Sequence, residues 1–303
     1  MTGYQIEAPL AKKMSDVYGD VGREWIARFP ALLERFRQEW GVIELRPPFA
    51  YVGYAWVAPG ELADGTRVVL KLAPEDKEYA SEIEALKMYA GIGAVRLLRS
   101  DNKATALLLE RIEPGDMLGE LDDDVAATEI AGRVFAKLFR PLPAEHPFPT
   151  VERWGLAFER VRTKYNGGCG KFPAELFEPA ERIYAEMCRS SDPAVLLHGD
   201  LHHWNILSAT REPWLAIDPK GLAGEPAYEV GALLRNKTDV EPDTLALSVR
   251  RMRQLSEILA VDFQRVLLWA FSAGVLSAIW TFEDHGEIHE RHLVLPRALL
   301  QLV

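Results

Sequence analysis

The 303-residue chain lacks the features that mark several large classes of protein. Its two cysteines, Cys169 and Cys188, are too few for a disulfide framework and do not stand at a metal-ligand spacing. The longest apolar run, residues 266–280, is shorter than the ~20 residues that a membrane span needs, so a buried helix is expected there. No apolar stretch follows a basic start in the first ten residues, so no signal peptide is expected. These absences favour a cytoplasmic protein without a membrane segment.

The chain also lacks a basic excess. Lys and Arg together number 35 and Asp and Glu together number 45, which gives a net charge of −10. Nucleic acids and anionic membranes recruit surfaces of the opposite sign, so neither is expected as a partner. The same charge is compatible with a cationic small molecule. The remaining composition, 48% hydrophobic and 26% charged, is that of an ordinary globular protein.

Two regions of different character divide the chain near Pro114-Gly115. The first is rich in strand patterns with one helix inserted after the third strand, and the second is mainly helical. Residues 19–41 carry apolar side chains at helical spacing, and Pro30 is expected to divide that stretch into two helices. Strands are predicted over 42–46, 51–58, 66–72, 95–98 and 104–110. Helices are predicted over 76–90, 123–139, 151–165, 174–190, 228–236, 241–258 and 262–281.

The most informative segment runs from His198 to Gly221. It reads HGDLHHWNIL and, after a short gap, IDPKG. Phosphoryl transfer needs a carboxylate at the acceptor hydroxyl, an oxygen ligand for Mg²⁺ a few residues later, and a second carboxylate that bridges the metal to the phosphates. Asp200, Asn205 and Asp218 have these residue types in this order. Apolar residues on both sides of the gap predict a hairpin that places Asn205 beside Asp218.

Two other interpretations of this segment stay open at this point. It is also consistent with a polar turn between helices, in which the histidines have no chemical role. A zinc site is a further alternative, since His198, His202 and His203 are all potential ligands. Adjacent His202 and His203 do not readily share one tetrahedral ion, and the cysteines lie elsewhere. The joint occurrence of both motifs favours phosphoryl transfer.

A nucleotide-binding site is predicted in the first region. Lys71 lies in the apolar strand VVLKL, where a lysine is costly unless it is paired. Glu82 on the following helix is the favoured partner, because it lies next to the apolar stripe of that helix, and Glu84 is the rival. The segment from Phe49 to Tyr54 is the expected phosphate-covering loop. It holds only Gly53, with neither GxGxxG nor a Walker A sequence, so it adds no independent support.

Together these motifs resemble the aminoglycoside/hydroxyurea antibiotic resistance kinase family, which lies within the protein-kinase-like aminoglycoside phosphotransferases. Streptomycin 6-phosphotransferases are the members that the chain resembles most. The resemblance covers roughly residues 45–285 and rests on the following segments: residues 64–71, residues 93–98, Leu107 to Glu110, HGDLHHWNIL, IDPKG, and Leu276 to Trp280.

The resemblance implies a fold and a set of site residues. The fold is α+β and two-lobed, like that of protein kinases, with a small antiparallel-sheet lobe over residues 1–112 for the nucleotide and a larger, mainly helical lobe over residues 113–303 for catalysis and the acceptor. Carried over position by position, Asp200 is the catalytic base, and His198 is a catalytic-loop residue that buttresses the loop. Asn205 and Asp218 are the magnesium ligands and contact the nucleotide. Lys71 with Glu82, and the backbone of Glu110 to Ile112, bind the phosphates and the adenine.

The acceptor site has weaker signals. A cationic aminoglycoside needs carboxylates and an aromatic face, since guanidinium and ammonium groups bind both. Glu283 and Asp284 follow Trp280 at the end of the apolar helix, although an ordinary acidic helix end explains them equally well. The remaining acceptor candidates are Asp116, His202 and Asp200 itself. Pro219-Lys220-Gly221 replaces the phenylalanine-glycine of protein kinases, which argues against a protein substrate.

The sequence therefore predicts an ATP- and Mg²⁺-dependent kinase, expected to be a monomer, that phosphorylates a hydroxyl of a cationic small molecule. Streptomycin, phosphorylated at its 6-hydroxyl, is the expected acceptor. One alternative is a kinase of the same fold for hydroxyurea, an amino sugar or another metabolite. Another is a non-catalytic nucleotide-binding protein, which the presence of Lys71, Asp200, Asn205 and Asp218 disfavours.

Overall fold

The computed structural model describes residues 6–50, 53–238 and 243–303, and the chain divides into two compact units, Met1–Ile112 and Glu113–Val303. In its described residues, the first unit is an antiparallel sheet with two helices. Its five strands lie in the order β1-β2-β3-β5-β4. In chain order its elements are α1 Ala8–Trp40, β1 Val42–Leu45, β2 Trp56–Leu62, β3 Arg67–Leu72, α2 Lys77–Tyr89, β4 Leu97–Asp101 and β5 Ala106–Glu110.

Helix α1 bends where the sequence did not predict a break. It is interrupted at Gly19, whose φ of 57° and ψ of −126° are not helical, and it continues through Pro30. The prediction that Pro30 ends one helix was therefore wrong. Phe29 and Leu33, on either side of the proline, are buried in the core, and this packing maintains the helix although Pro30 cannot donate a backbone hydrogen bond.

Aromatic side chains of α1 pack on the sheet and form the core of the first unit. Phe29 meets Trp56 of β2 edge to face at 5.2 Å, and Phe36 lies 4.5 Å from Trp40. Each such ring contributes roughly 1.5–3 kcal/mol when it leaves water. The strand predicted over 51–58 begins later, at Trp56, because this core starts there, and residues 51 and 52 lie outside the described residues.

The second unit is mainly helical, and its residues that the structure describes also form two small three-stranded sheets. The sheets have the orders β10-β9-β6 and β11-β8-β7. Its elements are β6 Pro114–Met117, α3 Asp124–Leu138, β7 Arg140–Pro141, α4 Val151–Lys164, α5 Ala174–Arg189, β8 Val195–Leu197, β9 Ile206–Ala209, β10 Trp214–Ala216, β11 Leu222–Gly224, α6 Pro226–Leu234, α7 Thr244–Leu259, α8 Phe263–His285 and α9 Val294–Leu299.

Helix α8 is the centre of the second unit. By length and composition it is the one helix of the described residues that is apolar enough to cross a membrane, and 72% of its most apolar window is buried inside the protein. Trp269 of α8 packs edge to face against Tyr184 of α5 and Tyr228 of α6, both at 5.0 Å. The apolar run that the sequence assigned to a buried helix lies within this element.

Candidate active site

The predicted hairpin is present and is made of β9 and β10. The two strands pair antiparallel with Ile206 opposite Ala216 and Leu207 opposite Leu215. One residue beyond the ladder, the N–H of Ile217 donates to the carbonyl of Asn205 at 2.9 Å. Asn205 therefore pairs with Ile217 at the open end of the hairpin, and Asp218 is the next residue along the chain.

Asn205 also binds the loop that carries Asp200. Its side-chain Nδ2 donates to the backbone carbonyl of Asp200 at 3.0 Å. This hydrogen bond orients the amide so that its oxygen points away from that carbonyl. The three residues that the sequence selected are thus connected: Asp200 through Asn205, and Asn205 through the hairpin to Asp218.

His198 connects the Asp200 loop to the backbone just before Asp218. It is buried; its Nε2 lies 2.8 Å from the carbonyl of Ile217, and its Nδ1 accepts the N–H of Asp200 at 3.3 Å. Burial lowers the pKa of His198 to about 3, so the ring is neutral at physiological pH. A neutral ring with Nε2–H donating and Nδ1 accepting satisfies both contacts. His198 therefore positions Asp200 relative to Ile217, the residue before Asp218.

Glu229 is a residue of this site that the sequence analysis missed. Both oxygens of its buried carboxylate accept the N–H of Gly199, at 3.0 and 3.1 Å, and backbone N–H groups of His198 and Leu201 also contact it. Burial raises the pKa of Glu229 to about 7, against the effect of these donors. The available signal was a lone carboxylate in the otherwise apolar turns of α6.

Position 199 requires a glycine. Its φ is +85°, and a Cβ there would lie 3.2 Å from both the Trp154 ring and the Cβ of Lys220. The backbone N–H groups of Lys220 and Gly221 donate to the carbonyl of His198, at 2.7 and 3.2 Å. The loop before Asp200 is therefore held from two sides, by Glu229 and by the turn after Asp218.

The three histidines do not form a zinc site. The described residues contain no group of three or more His, Cys, Asp or Glu side chains that could hold a metal ion. His202 accepts the N–H of Trp204 at its Nδ1, and its Nε2 lies 3.8 Å from the Asp200 carboxylate. The His203 side chain is fully buried, and burial lowers the pKa of its imidazole to about 3, so the ring is neutral. The polar-turn interpretation does not explain why Asn205 is hydrogen-bonded both to Asp200 and to Ile217, the residue before Asp218.

The donor set beside the hairpin fits magnesium. Mg²⁺ prefers oxygen ligands and is usually held by one or two protein groups together with phosphate oxygens and water. Asn205 offers an amide oxygen that its own hydrogen bond orients, and Asp218 offers a carboxylate one residue after Ile217, the backbone partner of Asn205. Asp218 has a φ of 60°, uncommon for a residue with a side chain and typical of positions held by their surroundings.

In the first unit, Lys71 and Glu82 form the predicted ion pair. The Lys71 ammonium lies 2.7 and 2.8 Å from the two carboxylate oxygens of Glu82, and the residues are only 6% and 3% exposed. The Tyr79 ring lies 5.2 Å from the same ammonium. The rival Glu84 accepts instead from Lys87 at 2.7 Å on the surface. Burial favours a close, well-hydrogen-bonded pair here, since either charge alone would be costly.

The proposed adenine segment follows β5. The carboxylate of Glu110 accepts the backbone N–H of Arg96 at 2.9 Å, and the backbone N–H of Arg111 donates to the backbone carbonyl of Arg67 at 3.1 Å. Ile112 is the last residue of the first unit. These bonds fix the segment on the sheet, and its contact with adenine stays a prediction. Of the expected phosphate-covering loop, residues 51 and 52 are outside the described part.

The acceptor candidates have different surroundings. Trp280 lies beside the catalytic loop, because it lines a narrow cleft with Gly199 and meets Trp154 at 5.1 Å. Glu283, one helical turn further, is bound by Arg160 through two hydrogen bonds of 2.8 and 2.7 Å. Asp284 is exposed, and Asp116 of β6 accepts the Ser208 hydroxyl at 3.1 Å.

Comparison with known families identifies the class of the protein. The model of the aminoglycoside/hydroxyurea antibiotic resistance kinases matches residues 53–286. The chain belongs to that family. The match includes both members of the buried ion pair and all of Asp200, Asn205, Asp218 and Glu229. The protein is accordingly a phosphotransferase of the aminoglycoside/hydroxyurea resistance kinases.

Named relatives of this kinase family span most of the chain. It is 32% identical over 293 residues to streptomycin 6-kinase of Streptomyces glaucescens, with 92% of each chain covered. It is also 32% identical over 309 residues to hydroxyurea phosphotransferase of Kitasatospora aureofaciens, covering 98% of this chain and 86% of the other. These relatives are similar to one another in class and differ in acceptor.

Solved structures place this family member in the protein-kinase-like fold. Choline kinase of Streptococcus pneumoniae superposes with a TM-score of 0.63 at 12% identity, over 89% of this chain and 98% of the other. Aminoglycoside phosphotransferase APH(3'')-Id of Streptomyces rimosus, in complex with ADP and streptomycin, gives 0.55 at 18% identity, over 80% and 96%. The predicted α+β fold, with an antiparallel sheet and a mainly helical remainder, is confirmed.

Proposed function

We propose that the protein transfers the γ-phosphoryl group of ATP to a hydroxyl of a cationic aminoglycoside, specifically the 6-hydroxyl of streptomycin. The observation that supports this proposal is that Asn205 pairs in the hairpin with Ile217, the residue before Asp218, and donates a hydrogen bond to the Asp200 loop. Streptomycin 6-kinases that are 31–32% identical over more than nine tenths of this chain support the choice of acceptor. The protein works in the cytoplasm, where ATP and Mg²⁺ are abundant, as a monomer.

Asp200 is the proposed catalytic base. Its carboxylate orients the acceptor hydroxyl and removes the proton as the oxygen attacks the γ-phosphorus. The new bond joins the acceptor oxygen to phosphorus, the bond from phosphorus to the β–γ bridging oxygen breaks, and ADP leaves. His198, Asn205 and Glu229 hold the Asp200 loop in one conformation during this transfer. They thereby keep the Asp200 carboxylate oriented towards the acceptor hydroxyl.

Asn205 and Asp218 are the proposed ligands of Mg²⁺. When bound, the ion neutralises negative charge on the phosphates of the nucleotide. Lys71, held by Glu82, is the proposed partner of the α- and β-phosphates. Its ammonium is fixed by two short hydrogen bonds, so little side-chain entropy is lost when phosphate binds.

The net charge of −10 also supports a cationic acceptor. Streptomycin carries two guanidinium groups and a methylamino group, and an anionic surface raises the encounter rate of such a cation at low ionic strength. Hydroxyurea is the second candidate, because the hydroxyurea phosphotransferase of K. aureofaciens matches 98% of this chain. Hydroxyurea is neutral and would gain nothing from that charge.

An acceptor panel tests the proposal. Purified protein with Mg·ATP is assayed for ADP release against streptomycin, hydroxyurea, kanamycin and simple sugars, and each product is examined by mass spectrometry and ³¹P NMR. Phosphorylation of streptomycin at the 6-hydroxyl, with the highest kcat/KM of the panel, supports the proposal. A higher kcat/KM for hydroxyurea, or thermal stabilisation by ATP without turnover of any acceptor, contradicts it.

A further inference from the structure

Trp154 of α4 and Trp280 of α8 form an aromatic wall next to the Asp200 loop. Their rings meet edge to face, with centroids 5.1 Å apart and an interplanar angle of 87°. Gly199, Tyr228 and Glu229 line the same cleft, whose free volume of about 10 Å³ holds about one water molecule. Both tryptophans are half-buried, so each keeps part of its ring in solvent. Gly199, the residue that precedes the proposed base, lies in the same cleft as this wall.

The same two helices carry an ion pair one turn beyond this wall. The Arg160 guanidinium of α4 donates Nε and one terminal nitrogen to the two oxygens of Glu283 on α8, at 2.8 and 2.7 Å. Glu283 is three residues after Trp280, so the two side chains are neighbours on the helix surface. The pair is open to solvent, with the side chains of Arg160 and Glu283 53% and 31% exposed.

This geometry is that of guanidinium recognition. A carboxylate binds a guanidinium through two parallel N–H···O bonds, and an adjacent aromatic face attracts the same cation. Arg160 supplies the guanidinium from within the protein. An acceptor with its own guanidinium has the same planar arrangement of donors and fits the same carboxylate.

We propose that Glu283, with the Trp154–Trp280 wall, is the binding site for a guanidinium group of the acceptor, and that Arg160 occupies this carboxylate until the acceptor displaces it. This inference rests on the proposed function. It assigns recognition of the charged groups to the α4–α8 surface and separates it from the chemistry at Asp200. An exposed ion pair is weak, so replacing Arg160 costs the acceptor little.

The exchange predicts opposite effects for the two members of the pair. Arg160→Ala releases Glu283 and should lower the Kd for streptomycin by about 3-fold, whereas Glu283→Gln should raise it about 10-fold or more, because the charge-assisted bonds are lost. The matched control is Arg162 of α4, whose guanidinium binds Glu181 on α5 with contacts of 2.6 to 3.2 Å. Arg162→Ala should leave the Kd unchanged.

Isothermal titration calorimetry with streptomycin, and with kanamycin as an amine-bearing aminoglycoside without guanidinium, provides the measurement. Thermal melting of each variant checks that it is folded. Opposite shifts for streptomycin, with kanamycin unaffected, support the site. Weaker binding in Arg160→Ala, equal shifts for kanamycin, or no change in Glu283→Gln overturns it.

Calorimetry also separates this inference from the proposed function. If the wild-type protein binds streptomycin with the expected variant dependence but does not phosphorylate it, the guanidinium site stands and the proposed function fails. If it phosphorylates streptomycin while the Glu283 and Arg160 variants behave like wild type, the proposed function stands and the guanidinium site is wrong.

Discussion

The carboxylate of Glu229 holds the backbone N–H of Gly199 with both of its oxygens, at 3.0 and 3.1 Å. Helix α6 thereby fixes the residue that precedes the proposed base. A buried carboxylate that accepts several N–H groups is a rigid support, because leaving any of those buried donors unpaired is costly. The geometry of the Asp200 loop therefore depends on a side chain 29 residues later in the chain.

Replacing Glu229 by glutamine should lower kcat and leave the KM for ATP nearly unchanged. The amide group presents its N–H₂ or its oxygen to Gly199 but cannot accept through both atoms, and the loss of a buried acceptor costs about 1–3 kcal/mol, or roughly 5- to 160-fold in rate. Steady-state kinetics checks this. Glu225→Gln at the start of the same helix is the control; Glu225 binds Arg265 at 2.9 and 2.7 Å, so its variant should melt at a lower temperature with kcat preserved.

Glu229 should also make stability depend on pH. Burial raises its pKa to about 7 from 4.5, so between these values the folded protein keeps a proton that the unfolded chain has released. The free energy of unfolding contributed by this group therefore falls as pH rises from about 4.5 to about 7 and is constant above. Urea denaturation at pH 5 and pH 8 should show a smaller difference for Glu229→Gln than for wild type. Equal differences would assign the pH dependence to other groups.

Features that depend on local sequence could be predicted from the chain, whereas features that depend on tertiary packing could not. The β9–β10 hairpin and the Lys71–Glu82 pair were predictable, because each depends on residues close together in the chain and on the need to pair a buried charge. Glu229 and the bend at Gly19 were not predictable. The role of a carboxylate in an apolar helix, or of a glycine within a helix, depends on contacts with residues distant in the chain. Strands of two or three residues, such as β7 and β8, are too short to show a period.

Asp200→Ala should abolish phosphoryl transfer while nucleotide binding persists. Removal of a general base costs about 10²- to 10⁴-fold in rate. The variant keeps the backbone carbonyl that accepts from Asn205 and the N–H that donates to His198, so the loop should retain its conformation. Single-turnover assays measure the loss, and calorimetry with Mg·ATP measures the retained affinity. A kcat within a few-fold of wild type would remove Asp200 from the role of base.

Asp218→Ala should eliminate the magnesium dependence of nucleotide binding. Asp218 supplies the only carboxylate of the proposed ligand pair, and Asn205 alone offers a neutral oxygen, which holds a divalent cation weakly. Titrations of ATP with and without Mg²⁺ should therefore coincide for the variant and differ for wild type. The matched control is Asp284→Ala on the exposed end of α8, which should behave like wild type in this titration. Identical magnesium dependence in Asp218→Ala and wild type would contradict the assignment.

The Lys71–Glu82 pair allows structure and function to be separated. Lys71→Ala leaves a carboxylate that is 3% exposed without its cation, and breaking a buried pair in this way costs about 3–5 kcal/mol. The double variant Lys71→Met with Glu82→Leu replaces both charges by apolar groups of similar size, so its unfolding free energy should return to within about 1–2 kcal/mol of wild type. Its kcat/KM for ATP should stay low, because no ammonium remains for the phosphates. Urea denaturation and steady-state kinetics on the same preparations measure both quantities, and recovery of activity together with stability in the double variant would show that the pair serves folding alone.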